Sequence, residues 1–195
     1  MASVATSGQP EGRMTRAEYR LWVEARPGRF ERSDGQVVAM APERIRHTRI
    51  KGEVYAALRN AVAAARLPCE VLPDGPTIEV GESDYEPHAI IRCGADPLSG
   101  ESLSVPDPVV IVEVLSPTTR RIDVSQKLAD YFRLPTVQHY LILFADRVQA
   151  IHHRRGSGRI ETRVLTEGEI ALDPPGVSVL LADLYPRGGA MPAQS

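Results

Sequence analysis

Residues 108–115 read Pro-Val-Val-Ile-Val-Glu-Val-Leu, and this stretch decides the fold class. Apart from Pro108 and Glu113 its residues are β-branched or aliphatic, which predicts a central strand covered on both faces. An ionised carboxylate in such a strand is costly unless a cation or a metal ion compensates it. Glu113 lies near the strand's end, where strands open on clefts, so it is a candidate functional residue. The alternative is a structural ion pair with Arg92 or Arg120.

The segments before this strand predict two helices and a hairpin. Thr15-Arg-Ala-Glu18 has the form of a capping box, which opens a short helix. Asp34-Gly35 favours a turn with positive φ at the tip of a hairpin over residues 29–40. A long amphipathic helix is predicted over residues 43–66, because apolar residues recur there every three to four positions.

The remaining segments complete a single α/β domain with a mixed sheet. A helix is predicted to begin at Asp123, with a buried stripe formed by Val124, Leu128, Tyr131 and Phe132. Further strands are predicted over residues 77–80, 88–92, 138–145, 147–153, 159–165 and 177–181. We expect residues 1–13 to be a flexible N-terminal segment, 14–186 to be the domain, and 187–195 to be a flexible tail.

Composition excludes several classes of protein. The chain has 195 residues, of which 43% are apolar and 25% charged, so it is neither disordered, collagen-like nor a coiled coil. A net charge of -2 argues against binding nucleic acid through bulk charge. Cys69 and Cys93 are too few for a disulfide framework and too far apart for a zinc pair. Without a signal peptide or a membrane-length apolar run, we expect a reduced, soluble, cytoplasmic protein.

A neighbouring strand contributes the next candidate, His88. We expect the strand of His88 to pair antiparallel with the strand of Glu113. A register that sets Arg92 opposite Val109 also sets His88 opposite Glu113. Directly opposed residues have Cβ atoms about 4.5–5.5 Å apart, close enough to hold one metal ion. Asp107 does not qualify, because six strand residues at ~3.3 Å each place it about 20 Å from Glu113.

Lys127 is the third candidate. It lies in the first turn of the helix predicted to begin at Asp123, so it can point back toward the end of Glu113's strand. There its ammonium group would orient an attacking water molecule or neutralise phosphate charge. The alternative is an ordinary solvated helix lysine.

Three segments resemble the Uma-type family of putative restriction endonucleases: FERSDGQVVAMAPERIRH (30–47), YEPHAIIRCG (85–94) and VPDPVVIVEVLSPTTRRIDVSQKLADYFRLPTVQHYLIL (105–143). That family belongs to the PD-(D/E)XK nuclease superfamily, and the resemblance extends over residues 14–185. It implies a restriction-endonuclease-like mixed β-sheet flanked by helices. It also implies hydrolysis of DNA phosphodiester bonds with one or two divalent metal ions, of which Mg²⁺ is the expected one.

The family's functional residues map onto this sequence with one rearrangement. Glu113 would be the acidic member of the (D/E)XK element, whose usual lysine position is held by Leu115. The basic role would instead fall to Lys127 on the following helix. Glu31 matches the family's hairpin acid, and His47 matches a histidine that opens its long helix. Both are secondary candidates, because a strand-end charge or a helix-terminal residue would explain them equally well.

His88 departs from the family pattern, which has Glu-Pro-Asp where this chain has Glu-Pro-His. Imidazole binds Mg²⁺ poorly and suits Mn²⁺, Zn²⁺ or another transition metal better. Three outcomes follow: an enzyme with altered metal preference, rescue by the nearby Asp84 or Glu86, or a chain that no longer cleaves. We favour impaired or altered chemistry.

Basic residues form clusters that could contact the phosphate groups of DNA, the expected partner. The clusters beside the candidate site supply the main nucleic-acid-binding candidates, which are Arg44, Arg46, Arg120 and Arg121. Arg49 and Lys51 accompany the first cluster, and a third contains His152, His153, Arg154, Arg155 and Arg159. No membrane partner is expected. A homodimer stays open, because related nucleases often act as dimers.

Three functions therefore remain open. The first is a metal-dependent DNA endonuclease built on Glu113, His88 and Lys127. The second is a catalytically inactive nuclease-fold protein that binds nucleic acid or a protein partner, for which the His88 substitution argues. The third is a structural module, for which the near-neutral charge is the positive hint.

Overall fold

Strand β7 (Pro108–Leu115) has the bounds that its sequence predicts. The structure is a computed structural model and describes residues 10, 12–94, 96–115 and 124–187. Its helices are α1 (Arg16–Glu24), α2 (Ile45–Ala65) and α3 (Val124–Tyr131), with a 3-10 helix at Leu181–Leu184. The other strands are β1 (Phe30–Ser33), β2 (Gln36–Ala39), β3 (Cys69–Pro73), β4 (Ile78–Val80), β5 (Ser83–Tyr85), β6 (Ala89–Cys93), β8 (His139–Phe144), β9 (Ala150–Arg155), β10 (Ile160–Leu165), β11 (Glu169–Leu172) and β12 (Val177–Leu180). None of the helices in these ranges is long and apolar enough to cross a membrane.

The sheet that contains β7 has six strands in the order β10-β9-β8-β7-β6-β3. β7 and β8 run parallel, and the other neighbours in this sheet are antiparallel. A parallel pair needs a crossover, and here the crossover contains α3. A second sheet has the order β2-β1-β5-β4, and β11 pairs with β12. These sheets and helices confirm the predicted α/β fold with a mixed sheet.

Both faces of β7 are buried, as its apolar sequence predicts. Alternate residues from Val110 to Val114 pack in one apolar cluster with α2. Ile111 packs in a second cluster with Tyr131 of α3. Fully burying one aliphatic side chain contributes about 1.5–3 kcal/mol, so this strand anchors the fold from both sides. Because side chains alternate along a strand, Glu113 shares the face of Ile111 and lies toward α3.

Local signals define the first elements. The Thr15 side chain accepts the N–H of Glu18, whose carboxylate accepts the N–H of Thr15, so the predicted capping box is present. β1 and β2 form the predicted hairpin, and its turn residues Asp34 (φ 48°) and Gly35 (φ 78°) both have positive φ. α2 begins two residues later than predicted and ends before Arg66, which is left-handed.

The pairing of β6 with β7 confirms most of the predicted register. Ala89 lies opposite Val112, and the next two residues continue in the predicted register. A β-bulge just before Arg92 then shifts the ladder, so Arg92 pairs with Pro108. The prediction that Arg92 faces Val109 is therefore wrong, although the register on the other side of the bulge is correct.

Cys69 and Cys93 form a disulfide, which corrects the expectation of reduced cysteines. β3 pairs antiparallel with β6 and sets the two cysteines opposite each other, with their Cα atoms 4.1 Å apart. β3 is not predicted from the sequence, because its five residues include a glutamate and a proline. Without β3, nothing in the sequence brings these cysteines together. The short strands β5 and β11 are likewise not predicted.

Candidate active site

Glu113 lies near the carboxyl end of β7 with only 2% of its surface exposed. The Nζ atom of Lys127 lies 3.0 Å from Oε1 of Glu113 and 2.9 Å from Oε1 of Glu31. One ammonium group thus bridges two buried carboxylates. The hydroxyl of Tyr131 also donates to Oε1 of Glu113, at 3.1 Å. The structure therefore brings together three residues that the sequence singled out, Glu31, Glu113 and Lys127.

α3 delivers Lys127 to this position. Lys127 and Tyr131 are four residues apart, so they share one face of the helix and both reach Glu113. The ammonium group also lies 5.2 Å from the centroid of the Tyr85 ring. The predicted stripe of α3 is only partly correct, because Lys127 and Asp130 are buried with Tyr131 while Val124, Leu128 and Phe132 are half-buried. Lys127 and Asp130 can be buried because each has polar partners, and buried polar groups need such hydrogen bonds.

His88 lies against Glu113, as the predicted register requires. Its Nδ1 atom is 3.2 Å from Oε2 of Glu113 and accepts a hydrogen bond of 2.8 Å from the N–H of Val114. Burial lowers the pKa of His88 well below its ordinary value, and the nearby His47 and Lys51 lower it further. The ring is therefore neutral at pH 7. A neutral imidazole can act as a metal ligand, but it does not replace the negative charge of an aspartate.

Glu31 lies on β1, and its Oε1 atom accepts the N–H of Glu86 at 2.8 Å as well as the ammonium group of Lys127. The carboxylates that might replace an aspartate at position 88 are held by arginines. Glu86 forms an ion pair with Arg29, and Asp84 contacts Arg32 at 2.5 Å and Arg16 at 2.6 Å. Both carboxylates are thus engaged in ion pairs, and His88 occupies the position of the expected aspartate.

His47, in the first turn of α2, faces the same strand end. Its Nε2 atom lies 2.5 Å from the carbonyl oxygen of Val114, and its Nδ1 atom is 3.7 Å from Oε2 of Glu43. The rings of His47 and His88 meet edge to face, with centroids 4.9 Å apart. Sequence reasoning found His47 but missed Glu43. The four-residue spacing of the two is the signal that could have found it.

Lys51 belongs to the site and not to a free basic surface, which corrects its assignment to a phosphate-contacting cluster. It is 7% exposed, lies 2.6 Å from Glu43 and also forms an ion pair with Asp74. Burial raises the pKa of both carboxyls, but Lys51, Arg29 and the other groups nearby together lower it more, so both pKa values are below their ordinary range. Arg29 joins this group at 2.9 Å from Asp74 and 3.3 Å from Glu43.

A cleft of about 250 Å³ opens above these side chains. Glu31, Glu113, Lys127, His47 and His88 all line it. The segment that follows β2 and the residues Arg44 and Arg46 complete its wall. Arg44 is exposed and Arg46 half-exposed, so both are placed to meet a ligand that enters the cleft.

The sequence also singled out other basic residues. Arg120 and Arg121 lie outside the described residues. In the third cluster, Arg155 donates to the carbonyl oxygens of Val137, Phe132 and Leu134 and therefore supports the fold.

Arg92, one of the two alternative partners of Glu113, donates to the carbonyl oxygen of Asp96. The histidines at 152 and 153 point to opposite sides of the sheet, toward His139 and Thr162.

The α/β fold, with its mixed sheet, also occurs in a solved structure. A crystal structure described as a putative nuclease belonging to DUF820, from Anabaena variabilis, superposes with a TM-score of 0.68. That comparison covers 88% of this chain and 97% of the other at 14% sequence identity, and so shows the fold.

A family model described as "Uma2: Putative restriction endonuclease" matches residues 16–183. The chain therefore belongs to the Uma2 family, which confirms the resemblance found in the sequence. The uncharacterised protein slr1290 from Synechocystis sp. is 28% identical over 162 residues. That alignment covers 76% of this chain and 78% of the relative.

Proposed function

We propose that the chain is a metal-dependent endonuclease that hydrolyses phosphodiester bonds in DNA. The observation that carries the proposal is the convergence of Glu31, Glu113, Lys127 and His88 at one end of the central strand, in a cleft with arginines in its wall. Buried acids that share one lysine are costly to maintain for stability alone, because desolvation offsets much of their attraction. Membership of a family described as "Putative restriction endonuclease" supports the same function.

The donor atoms around His88 fit a divalent transition metal better than Mg²⁺. The ring is neutral and lies between two carboxylates, those of Glu113 and Glu43. Imidazole with carboxylate oxygen suits Mn²⁺, Co²⁺ or Zn²⁺, whereas Mg²⁺ prefers oxygen ligands alone. His88 would hold the ion together with a neighbouring carboxylate. When bound, the ion supplies a water molecule of lowered pKa as the nucleophile.

The protein's own side chains supply the rest of the chemistry. Lys127 holds a positive charge in the cleft and would stabilise the charge that develops on the phosphate oxygens. Tyr131 donates to Glu113 and Glu86 donates its N–H to Glu31, so both carboxylates have fixed orientations. Arg44 would contact a phosphate of the DNA backbone and position the duplex without reading its sequence.

Nicking of a supercoiled plasmid tests the proposal. We expect the wild type to nick DNA with Mn²⁺ or Co²⁺ more rapidly than with Mg²⁺. Glu113→Ala should reduce the rate by at least about 100-fold, the size of effect seen when one charge-stabilising group is removed from an active site. Glu169→Ala is the matched control, because Glu169 is an exposed glutamate on β11 outside the residues that line the cleft.

Two outcomes would contradict the proposal. One is nicking that persists at the wild-type rate in Glu113→Ala, because the activity would then lie elsewhere or in a contaminant. The other is a wild type that is inactive with every ion while His88→Asp cleaves. In that case the fold would support cleavage, but this chain would have lost it.

The second candidate function is a nuclease-fold protein that binds nucleic acid or a protein partner without cutting. The observation in its favour is that Lys127 already bridges the two acids while a neutral His88 stands in the place of an aspartate. Salt-dependent binding of duplex DNA without cleavage by any ion would support it. Cleavage that Glu113→Ala abolishes would exclude it.

A further inference from the structure

One ring nitrogen of His47 is hydrogen-bonded, and the other lies near a carboxylate without a hydrogen bond. A carbonyl oxygen only accepts, so the contact between Nε2 and the Val114 oxygen requires the proton of neutral His47 to be on Nε2. The lone pair is then on Nδ1, which is buried and has no hydrogen-bond partner. Buried polar atoms are nearly always satisfied, so this orphan atom calls for an explanation. A ring that donates one N–H to a carbonyl and presents its other nitrogen has the arrangement of a metal-ligating histidine.

Two further side chains that can bind a metal ion lie near this lone pair of His47. A carboxylate oxygen of Glu43 and a ring nitrogen each of His47 and His88 all lie within 4.8 Å of one another. Oε2 of Glu43 is 3.7 Å from Nδ1 of His47. Two ligands of a tetrahedral ion with bonds of about 2.1 Å lie roughly 3.4 Å apart, so small side-chain movements would close the set.

His88 would join this set through its Nε2 atom. Its Nδ1 atom accepts the N–H of Val114, so the proton of the free ring is on Nε2. Coordination requires that proton to move to Nδ1, so the N–H of Val114 would lose its acceptor and Oε2 of Glu113, 3.2 Å away, would accept the ring proton instead. A carboxylate is one of the common acceptors for the second ring N–H of a metal-bound histidine. Glu113 would then hold the His88 ring in its orientation and would not itself contact the ion.

Several ion pairs surround the two histidines. Among the described residues, the ion pairs around His47 and His88 connect five carboxylates to three cations. The carboxylates are Glu31, Glu43, Asp74, Glu86 and Glu113, and the cations are Arg29, Lys51 and Lys127.

We propose that Glu43, His47 and His88 bind one divalent transition-metal ion, with Glu113 positioning His88 from behind. Two imidazoles and one carboxylate form a ligand set for Zn²⁺, Co²⁺ or Mn²⁺ and not for Mg²⁺. The inference rests on the proposed function in so far as it names the ion that a nuclease would use. Metal binding is nevertheless measurable without cleavage.

Titration of the untagged, chelator-stripped full-length protein with Co²⁺ tests the site. We expect one Co²⁺ per chain, with a visible absorption spectrum, and weaker binding of Mg²⁺ by calorimetry. His47→Gln and Glu43→Gln should each weaken Co²⁺ binding by at least about tenfold, the lower end of what even residues behind a ligand cost. The glutamine amide at position 47 can still donate to the Val114 carbonyl, so the fold is preserved while the ligand nitrogen is lost.

Two more variants complete the design. Glu113→Gln should weaken Co²⁺ binding about 10–100-fold while the bound ion keeps its wild-type spectrum, because Glu113 acts through His88. His153→Asn is the matched control, since His153 is also buried but hydrogen-bonds to Thr162 on another part of the sheet. It should bind Co²⁺ as the wild type does. Thermal unfolding of each metal-free variant checks that it is folded.

The results separate this inference from the proposed function. Wild-type Co²⁺ affinity in both His47→Gln and Glu43→Gln, or no Co²⁺ uptake by the wild type, would overturn the metal site. Plasmid nicking with Mg²⁺ alone would then leave the proposed function standing. Conversely, Co²⁺ binding that depends on His47 without any nicking would support the metal site and refute the nuclease activity.

Discussion

Lys127 is the residue on which the buried charges of the site depend. Its ammonium group lies between Glu31 and Glu113, all three being less than 10% exposed. Such a bridge contributes little relative to an apolar cluster of the same shape, but removing one member leaves uncompensated charge in a medium of low dielectric constant. The ammonium group therefore matters for stability as well as for any charge that it stabilises on a ligand.

Lys127→Met should lower the free energy of unfolding at pH 7 by about 3 kcal/mol or more, because two carboxylates lose their shared cation. Urea unfolding followed by circular dichroism measures the loss. Arg133→Met is the control, since the Arg133 side chain is 64% exposed and lies 3.4 Å from Asp130. Asp130 is buried, but it keeps its hydrogen bonds from Ser83, Tyr85 and Gln126. Loss of the exposed Arg133 partner should therefore cost less than ~1 kcal/mol. Equal losses in the two variants would contradict the importance of the bridge.

The histidine pair away from the cleft makes stability depend on pH. Nδ1 of His139 and Nε2 of His152 are hydrogen-bonded at 2.8 Å, and burial lowers the pKa of each ring to about 4. In the unfolded chain both pKa values return to about 6.5. The unfolded chain therefore binds protons between pH 6.5 and 4 that the folded chain does not.

We expect the free energy of unfolding to receive the full contribution of this pair above pH 6.5 and to fall as the pH decreases toward 4. His152→Gln removes one titrating ring, so the slope of unfolding free energy against pH should become shallower between pH 6.5 and 5. Urea unfolding at closely spaced pH values measures both slopes. An unchanged slope would show that other groups cause the acid sensitivity.

At the scale of the element, β7 and its two neighbours were largely predictable. A continuous apolar run defines a doubly covered strand, and strands consecutive in sequence commonly pair, so the approach of His88 to Glu113 followed from the register. The bulge at Arg92 was not predictable, because no residue pattern marks it. Glu43 was missed and Lys51 was misassigned for a different reason. Charged residues at a helix start read as solvated until tertiary packing buries them.

The disulfide fastens β3, an edge strand, to β6. Cys69 and Cys93 are 24 positions apart, and closing a loop of that size restricts the unfolded chain by about 3 kcal/mol in the entropic account. Reduction should therefore lower the midpoint of guanidinium unfolding. The double variant Cys69→Ala/Cys93→Ala is the control and should not respond to a reductant. A wild type that is equally stable with and without reductant would contradict this expectation.

At the scale of the whole molecule, a net charge of -2 hides a marked local separation of charge. The acids gather at the floor of the cleft, and Arg44 and Arg46 lie in its wall. A ligand with phosphate groups would meet the arginines first. The total charge therefore says little about nucleic-acid binding, whereas the distribution of charge favours it.

Salt dependence of duplex binding checks this distribution. Each arginine that contacts a phosphate adds about one to the slope of log affinity against log salt concentration. Arg44→Gln/Arg46→Gln should thus lower the slope by about two and weaken binding at low salt. Arg159→Gln is the control, because Arg159 is exposed and pairs with Glu161 away from the cleft. Fluorescence anisotropy of a labelled duplex gives both slopes, and equal slopes would exclude these phosphate contacts.

The backbone of Val114 limits how the site could be rebuilt on another sheet. Its side chain takes no part in the chemistry, yet its N–H holds one imidazole and its C=O holds the other. The two rings thus complete the main-chain hydrogen bonding of β7 where its ladder with β6 ends. Grafting the histidines and glutamates onto another sheet would not reproduce the site unless a strand ended at the same residue. The transferable unit is a length of backbone, and the buried Val114 side chain matters only for its packing against α2.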